Sequence, residues 1–222
     1  VQADQRYVPA AGRAVLTRLY DPVMALTMRE RAFRSALVSA LLAHPRPSVV
    51  LDVGCGTGTL ALQLAEQAPT VQVVGIDGDD RILALGRAKV ARFGERVRLL
   101  RGIAGDLPLA DASVDAVVAS LLLHHLSPGA KVAALDEFSR VLAPGGRLVI
   151  ADWGRPHDRM MRATFFLLQL LDGFQNTRDH VSGAIPSLVA EAGFGDVTVS
   201  QRWRTTWGSL ELLTAERDGK QR

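Results

Sequence analysis

One segment constrains this chain more than any other: Val49-Val-Leu-Asp-Val-Gly-Cys-Gly-Thr-Gly58. A short, mostly apolar β-type run, Ser48 to Val53, leads into glycines at alternate positions. A helical pattern from Thr59 to Ala68 follows. Glycine lets a backbone turn sharply and approach a ligand with no Cβ in the way. The helix start beyond it offers N–H groups without intrahelical partners. Strand, glycine turn and helix together open a parallel α/β sheet whose ligand lies beyond the strand ends. The spacing is not the G-x-G-x-x-G of dinucleotide folds, which disfavours a dinucleotide oxidoreductase.

The rest of the pattern repeats this unit. Extended runs at Val71–Ile76, Val97–Leu100, Val114–Ala119 and Arg147–Ala151 alternate with helical ones at Asp79–Phe93 and Ala130–Leu142. Near-continuous Val, Ile and Leu in the strands predicts a parallel sheet covered on both faces. Towards the C-terminus the order changes. A helix at Ile185–Ala192 precedes extended runs at Val197–Trp203 and Ser209–Ala215, joined as a hairpin through 204–208. Residues 1–47 read as a helical N-terminal extension, with a helix at Glu30–Leu42 stopped by Pro45 and Pro47. Residues 48–222 read as one Rossmann-like domain.

Composition removes several function classes. A 222-residue chain with 48% hydrophobic and 22% charged residues is an ordinary globular one. One cysteine excludes a disulfide framework. No run reaches the length of a membrane span, and the polar N-terminus does not read as a secretory signal, so the cytoplasm is the expected location. The net charge of +3 comes from arginines scattered among acids, and nucleic acid is not an expected partner.

Asp77 closes the second predicted strand. On its own it reads as a helix cap. Downstream of the glycine loop it reads as an acceptor for the two hydroxyls of a ribose.

Leu51–Gly58 resembles the first signature motif of the class I S-adenosylmethionine-dependent methyltransferases. Leu107-Pro108 with Asp111–Asp115 is similar to their strand-four motif, and Arg140–Ile150 to their helix-to-strand-five signature. Leu123-His-His-Leu126 resembles a segment that follows strand four in many small-molecule members, quinone-biosynthesis enzymes included. The resemblance is strong over residues 48–153. It implies S-adenosyl-L-methionine as cofactor and methyl transfer to O, N or C of a small, fairly apolar acceptor. It also implies a doubly wound, mostly parallel seven-stranded sheet of order 3-2-1-4-5-7-6, with the last strand antiparallel. By matching position, Gly54, Cys55, Gly56 and Gly58 would pass under the methionine part of the cofactor. Asp52 would orient its amino group, Asp77 and Gly78 would take the ribose, and Ser120 would lie near the sulfonium. Ile103 stands where many members hold adenine with an acid. Adenine recognition is therefore expected to be mainly apolar, with the Ala104 N–H beside it.

Methyl transfer from a sulfonium needs alignment and desolvation more than a strong catalytic constellation. His124 and His125, after strand four, are the candidates for a general base, packing being the alternative. Cys55 is not expected to act as a nucleophile, and His157 and His180 are expected at the surface. Asp152 and Trp153, after strand five, are candidate substrate contacts, with a turn cap as the alternative for Asp152. Tyr20, with Tyr7, is a candidate lid or cofactor contact in the N-terminal extension, where Tyr20-Asp21 resembles an early segment of the family. Met160–Phe174 is apolar nearly all round and is expected to bury more than one face. Within it Phe166 and Leu170 are expected to line an apolar acceptor pocket. Core packing, a homodimer contact and a membrane-facing surface remain open for that segment. The rival from another class is a non-catalytic module that retains the cofactor fold, which a turnover assay with labelled cofactor separates.

Overall fold

The computed structural model describes residues 30–43 and 45–219. Tyr7, Tyr20 and most of the expected N-terminal extension lie outside the described residues. The alternating pattern forms one sheet of β1 (Val49–Val53), β2 (Gln72–Asp77), β3 (Val97–Arg101), β4 (Val114–Ser120), β5 (Leu142–Trp153), β6 (Phe194–Arg204) and β7 (Ser209–Arg217). Its order is β3-β2-β1-β4-β5-β7-β6. β1 to β5 pair in parallel, and β7 lies antiparallel between β5 and β6. The chain winds outward in opposite directions from β1 and β4. A crevice is left beyond the carboxyl ends of that central pair, where ligands of such sheets bind.

Two helical layers cover the sheet. The period-two alternation of the strands feeds both. On β4, Ala116 and Val118 enter one core while Val117 and Ala119 enter the other. The first core takes Phe33, Leu37 and Leu41 from α1 (Glu30–Leu41), Leu64 from α2 (Thr59–Gln67) and Leu83 from α3 (Asp80–Val90). Phe165 and Leu168 from α5 (Arg159–Asp172) complete it. The second takes Leu135 and Phe138 from α4 (Pro128–Val141) and Val189 from α7 (Ile185–Glu191). Phe33, Leu37 and Leu41 recur at helical spacing, so one stripe of α1 is apolar and seats on the sheet. Asp79 caps α3 by accepting from the N–H groups of Arg81 and Ile82.

Three elements differ from the sequence expectation. β5 starts at Leu142, which pairs with Val114; Ala143–Gly146 then loop out before Arg147 pairs with Ala116. The helix expected over 160–174 breaks at Gly173, whose φ of +91° suits glycine, and α6 (Phe174–Ser182) follows as a separate helix. α6 buries His180 completely, which corrects its expected surface position. The His180 Nδ1–H donates to the Trp153 carbonyl at 2.7 Å. Finally, α5 buries a stripe of Met161, Phe165, Leu168 and Gln169, while Met160, Phe166, Leu167 and Leu170 on its other face are exposed.

α6 is fastened from below by Lys131 of α4, which is fully buried. Its ammonium donates to the Asn176 carbonyl and, at 2.9 Å, to the Asp179 carboxylate. Removing one partner of a buried ion pair strands the other, which typically costs 3–5 kcal/mol. Asp179 is partly exposed, so Lys131→Met is expected to lower stability by about 3 kcal/mol, towards the low end. Chemical denaturation measures it. A loss under about 0.5 kcal/mol would mean that the pair does not hold α6.

Candidate functional site

The loop from β1 to α2 folds over the end of β2. The N–H groups of Gly54 and Cys55 both donate to the Ile76 carbonyl, at 2.8 and 3.0 Å. The next donor, Gly56 N–H, reaches Asp77 Oδ2 at 2.9 Å, while Asp79 N–H reaches Asp77 Oδ1 at 3.0 Å. Asp77 thus ties the glycine loop to the start of α3. A carboxylate has about four lone-pair sites, so acceptor capacity remains for a diol. Gly78, beside it, is half-buried. The glycines differ in what they make room for. A Cβ on Gly54 would meet Leu122 at 2.9 Å and one on Gly58 would meet Leu99 at 3.1 Å, whereas one on Gly56 would meet nothing within 4 Å. Gly56, at φ +53°, therefore presents bare backbone to open space.

Asp52 lies next to this loop, 2% exposed, and its Oδ2 has no hydrogen-bond partner. Burial pushes its carboxyl up to about 7; Arg34 pulls it down and Asp77 pushes it further up. A buried carboxylate oxygen without a partner is costly unless a cation meets it. The arrangement therefore fits a ligand that carries an ammonium group and a diol, as S-adenosylmethionine does. Cys55 adds no reactivity, because burial first, and then Asp52 and Asp77, push its thiol far up and keep it neutral.

Gly102 N–H donates to the Asp77 carbonyl at 3.1 Å, which sets Ile103 and Ala104 beside the end of β2. Ile103 is exposed and Ala104 half-buried. The neighbouring motif residues brace the scaffold. The Arg140 guanidinium donates to the carbonyls of Leu107 and Leu109 and to Asp111, and Glu137 accepts from Leu107 N–H and from Arg140. Asp115 accepts from Ser48 and Val49 N–H at the opposite edge of the sheet.

Beyond β4, half-buried Ser120 is followed by Leu121 at φ +54°, a sparsely populated conformation for leucine. Its N–H donates to the Ala151 carbonyl at 2.8 Å, which holds the turn in place. Strain of this kind concentrates at functional edges. A single helical turn, Leu123–His125, comes next. The Asp152 carboxylate, 3% exposed, accepts from Leu123 N–H and Trp153 N–H at 2.7 Å and from His124 N–H at 3.4 Å. It also accepts from His124 Nδ1–H at 2.7 Å. Burial alone would raise the Asp152 pKa. The neighbouring His124 and His180 and these hydrogen bonds outweigh it and hold the carboxyl well below the usual range. Donation from Nδ1 assigns the basic lone pair of His124 to Nε2. His125 is half-buried and its ring lies 4.0 Å from that of His124. Burial, then His124 and His180, push its pKa down to about 3 against the pull of Asp152.

The structure therefore brings Asp52, the glycine loop, Asp77, Ile103, Ala104, Ser120, His124, His125 and Asp152 to one edge of the sheet. Trp153 is buried edge-on against Phe165, with ring centroids 5.7 Å apart. Phe166 and Leu170 lie on the outer face of α5. Sequence reasoning missed α6, whose Asn176 side chain donates to the His125 carbonyl at 3.3 Å and whose His180 ring lies 6.2 Å from that of His124. It also missed Lys131, although a signal was present: Lys131 shares the buried face of α4 with Ala134, Leu135 and Phe138 at helical spacing.

Residues 50–146 match the family model described as a methyltransferase domain. The chain is 40% identical over 142 residues to a demethylmenaquinone methyltransferase of Thermus thermophilus, covering 64% of this chain and 61% of that protein. It is 33% identical over 189 residues to a ubiquinone/menaquinone biosynthesis C-methyltransferase of Methylobacterium nodulans, covering 76% and 74%. The chain spans less than two thirds of the length of several demethylmenaquinone methyltransferases that it matches. Among solved structures, a putative O-methyltransferase from Nostoc punctiforme shares the fold at a TM-score of 0.70 and 20% identity, over 89% of this chain and 58% of that one. The chain belongs to the class I S-adenosylmethionine-dependent methyltransferases, in the branch that contains the quinone-biosynthesis C-methyltransferases.

Proposed function

We propose that this chain transfers the methyl group of S-adenosylmethionine to a ring carbon of a small, largely apolar acceptor of the quinol class. The observation that carries the reading is the Asp77 bridge to Gly56, set beside the unpartnered oxygen of Asp52. The relatives named for quinone methylation supply the acceptor class. When bound, the cofactor supplies a methyl group activated on a sulfonium. Asp52 would meet its ammonium, Asp77 would accept from the diol, and the open space over Gly56 would leave room between them. Ile103 and Ala104 would flank the base, and Ser120 would lie near the reacting end.

A hydroxylated ring attacks through carbon more readily as its hydroxyl proton leaves, and once that carbon has taken the methyl group its own ring proton leaves to restore aromaticity. His124 takes that proton at Nε2, and the ionised Asp152 holds its tautomer and offsets the charge that develops. His125, with a pKa near 3, stays neutral and weakly basic and forms part of the wall. The direct test is transfer of labelled methyl from the cofactor to a demethylated quinol. Failure to label any hydroxylated aromatic acceptor would overturn the reading.

Two further outcomes follow. In the unliganded chain Asp52 keeps its proton up to about pH 7, so below that pH an ammonium-bearing ligand must displace it. The affinity for S-adenosylhomocysteine is expected to fall by up to about tenfold per pH unit below 7 and to level off above it. Asp52→Asn should bind more weakly at pH 7 and above and lose the slope. Calorimetry across pH checks this, and an unchanged slope in the variant would remove Asp52 from the site. For the base, His124→Gln is expected to lower kcat by roughly 10²–10⁴-fold, and Asp152→Asn to lower it in the same direction. Cofactor affinity should stay close to wild type in both. Unaltered kcat in His124→Gln would assign the proton to another group.

A further inference from the structure

We infer that the outer face of α5, continued onto the start of α6, is a docking surface for an anionic lipid bilayer. The inner stripe of α5 is anchored, since Met161, Phe165 and Leu168 are buried. The outer stripe is apolar as well: Met160 is 58% exposed, Phe166 45%, Leu167 57% and Leu170 58%. Across the Gly173 break the stripe continues in Phe174, 49% exposed, whose ring meets that of Phe166 at 5.6 Å in an edge-on pair. Among the described residues the other exposed large apolar side chains, Leu85, Ile103 and Val132, lie apart from one another along the chain, as single surface residues ordinarily do. A contiguous apolar stripe that gains nothing from the core marks a contact with something outside it.

Charge selects the occupant. Arg159 and Arg162 stand exposed on α5 within and beside the stripe, and Arg178 stands exposed on α6 beyond Phe174. Asp158, at the N-cap of α5, is paired with Arg204, so among the described side chains the charge beside the stripe is that of these arginines. A two-fold contact between copies through this face would set arginine against arginine. A bilayer surface carrying phosphate groups accepts both features, with aromatic and aliphatic side chains in the acyl boundary and guanidinium groups among the headgroups. No helix among the described residues is long and apolar enough to cross a membrane, so the contact is peripheral. The surface is independent of which acceptor is methylated.

Vesicle co-sedimentation of the full chain tests it. The probes are vesicles of phosphatidylcholine alone and of phosphatidylcholine with phosphatidylglycerol. The chain is expected to sediment with the anionic vesicles, less at high salt, and weakly with the neutral ones. Phe166→Ser with Leu170→Ser should weaken partitioning roughly tenfold or more. Arg159→Gln with Arg162→Gln should weaken it roughly 25-fold, about fivefold per arginine, on anionic vesicles only. Phe166, Leu170 and Arg159 are exposed, while Arg162, also exposed, donates to the buried Gln169 at 2.8 Å, so melting temperature and S-adenosylhomocysteine affinity are measured beside partitioning and report folding separately. If wild-type protein stays in the supernatant, the stripe is covered by a second copy or by another part of the chain, and the proposal falls. It falls equally if wild type and both variants sediment alike. Either result with intact S-adenosylhomocysteine binding leaves the methyltransferase reading standing, whereas loss of that binding in wild type would strike the reading and not the surface.

Discussion

A single carboxylate organises the ligand edge of this protein. Asp77 accepts the Gly56 N–H on one oxygen and the Asp79 N–H on the other. The glycine loop, the end of β2 and the start of α3 are thereby held by one side chain. That hold adds to the Ile76 carbonyl bonds in fixing a loop whose Gly54, Gly56 and Gly58 all sit at positive φ, a conformation glycine adopts without strain. The N–H groups of Gly54, Cys55 and Gly56 go to Ile76 and Asp77, and that of Gly58 to the Cys55 carbonyl, so the loop is folded on itself beside Asp52.

Two buried acids on this edge are driven in opposite directions, and the cause lies in their partners. Asp52 and Asp152 are almost equally hidden, at 2% and 3% exposure. Asp52 has an oxygen with no partner, and burial lifts its pKa to about 7. Asp152 is surrounded by backbone and imidazole donors and is held far below the usual range. One acid keeps an oxygen without a hydrogen-bond partner, and the other is complete and orients His124. In the function proposed above, the first would meet the cofactor on the β1 side of the crevice and the second would support proton handling on the β4–β5 side.

Much of this was legible in the sequence where local chemistry and global fold agree. The alternate glycines and the Val-rich runs led to a parallel α/β sheet with a ligand loop after its first strand, the acid closing the next strand to a candidate partner for that loop, and the family resemblance to the strand order. The features that escaped depend on tertiary contacts. α6, with the composition Phe174-Gln-Asn-Thr-Arg-Asp-His-Val-Ser182, has no apolar stripe; it is held by polar bonds from Lys131, Asn176 and His180, which a periodicity search does not see. The strand-four and strand-five motifs were legible as motifs, but their work as braces, with Arg140 holding the Leu107–Asp111 loop, appears only in three dimensions. The Met160–Phe174 pattern was read as a helix buried on more than one face. The sheet offers room for one face only, and Gly173 ends the helix early.

The account stands or falls on whether the loop held by Asp77 is a cofactor site. Calorimetric titration of the full chain with S-adenosylhomocysteine, for wild type and Asp77→Ala, measures that directly. The account predicts saturable one-to-one binding by wild type. It predicts a loss of at least about tenfold in the variant, since charge-assisted hydrogen bonds of roughly 1.5–3 kcal/mol each disappear while circular dichroism still shows a folded α/β protein. Equal affinity in a folded Asp77→Ala chain, or no binding by wild type, would contradict it.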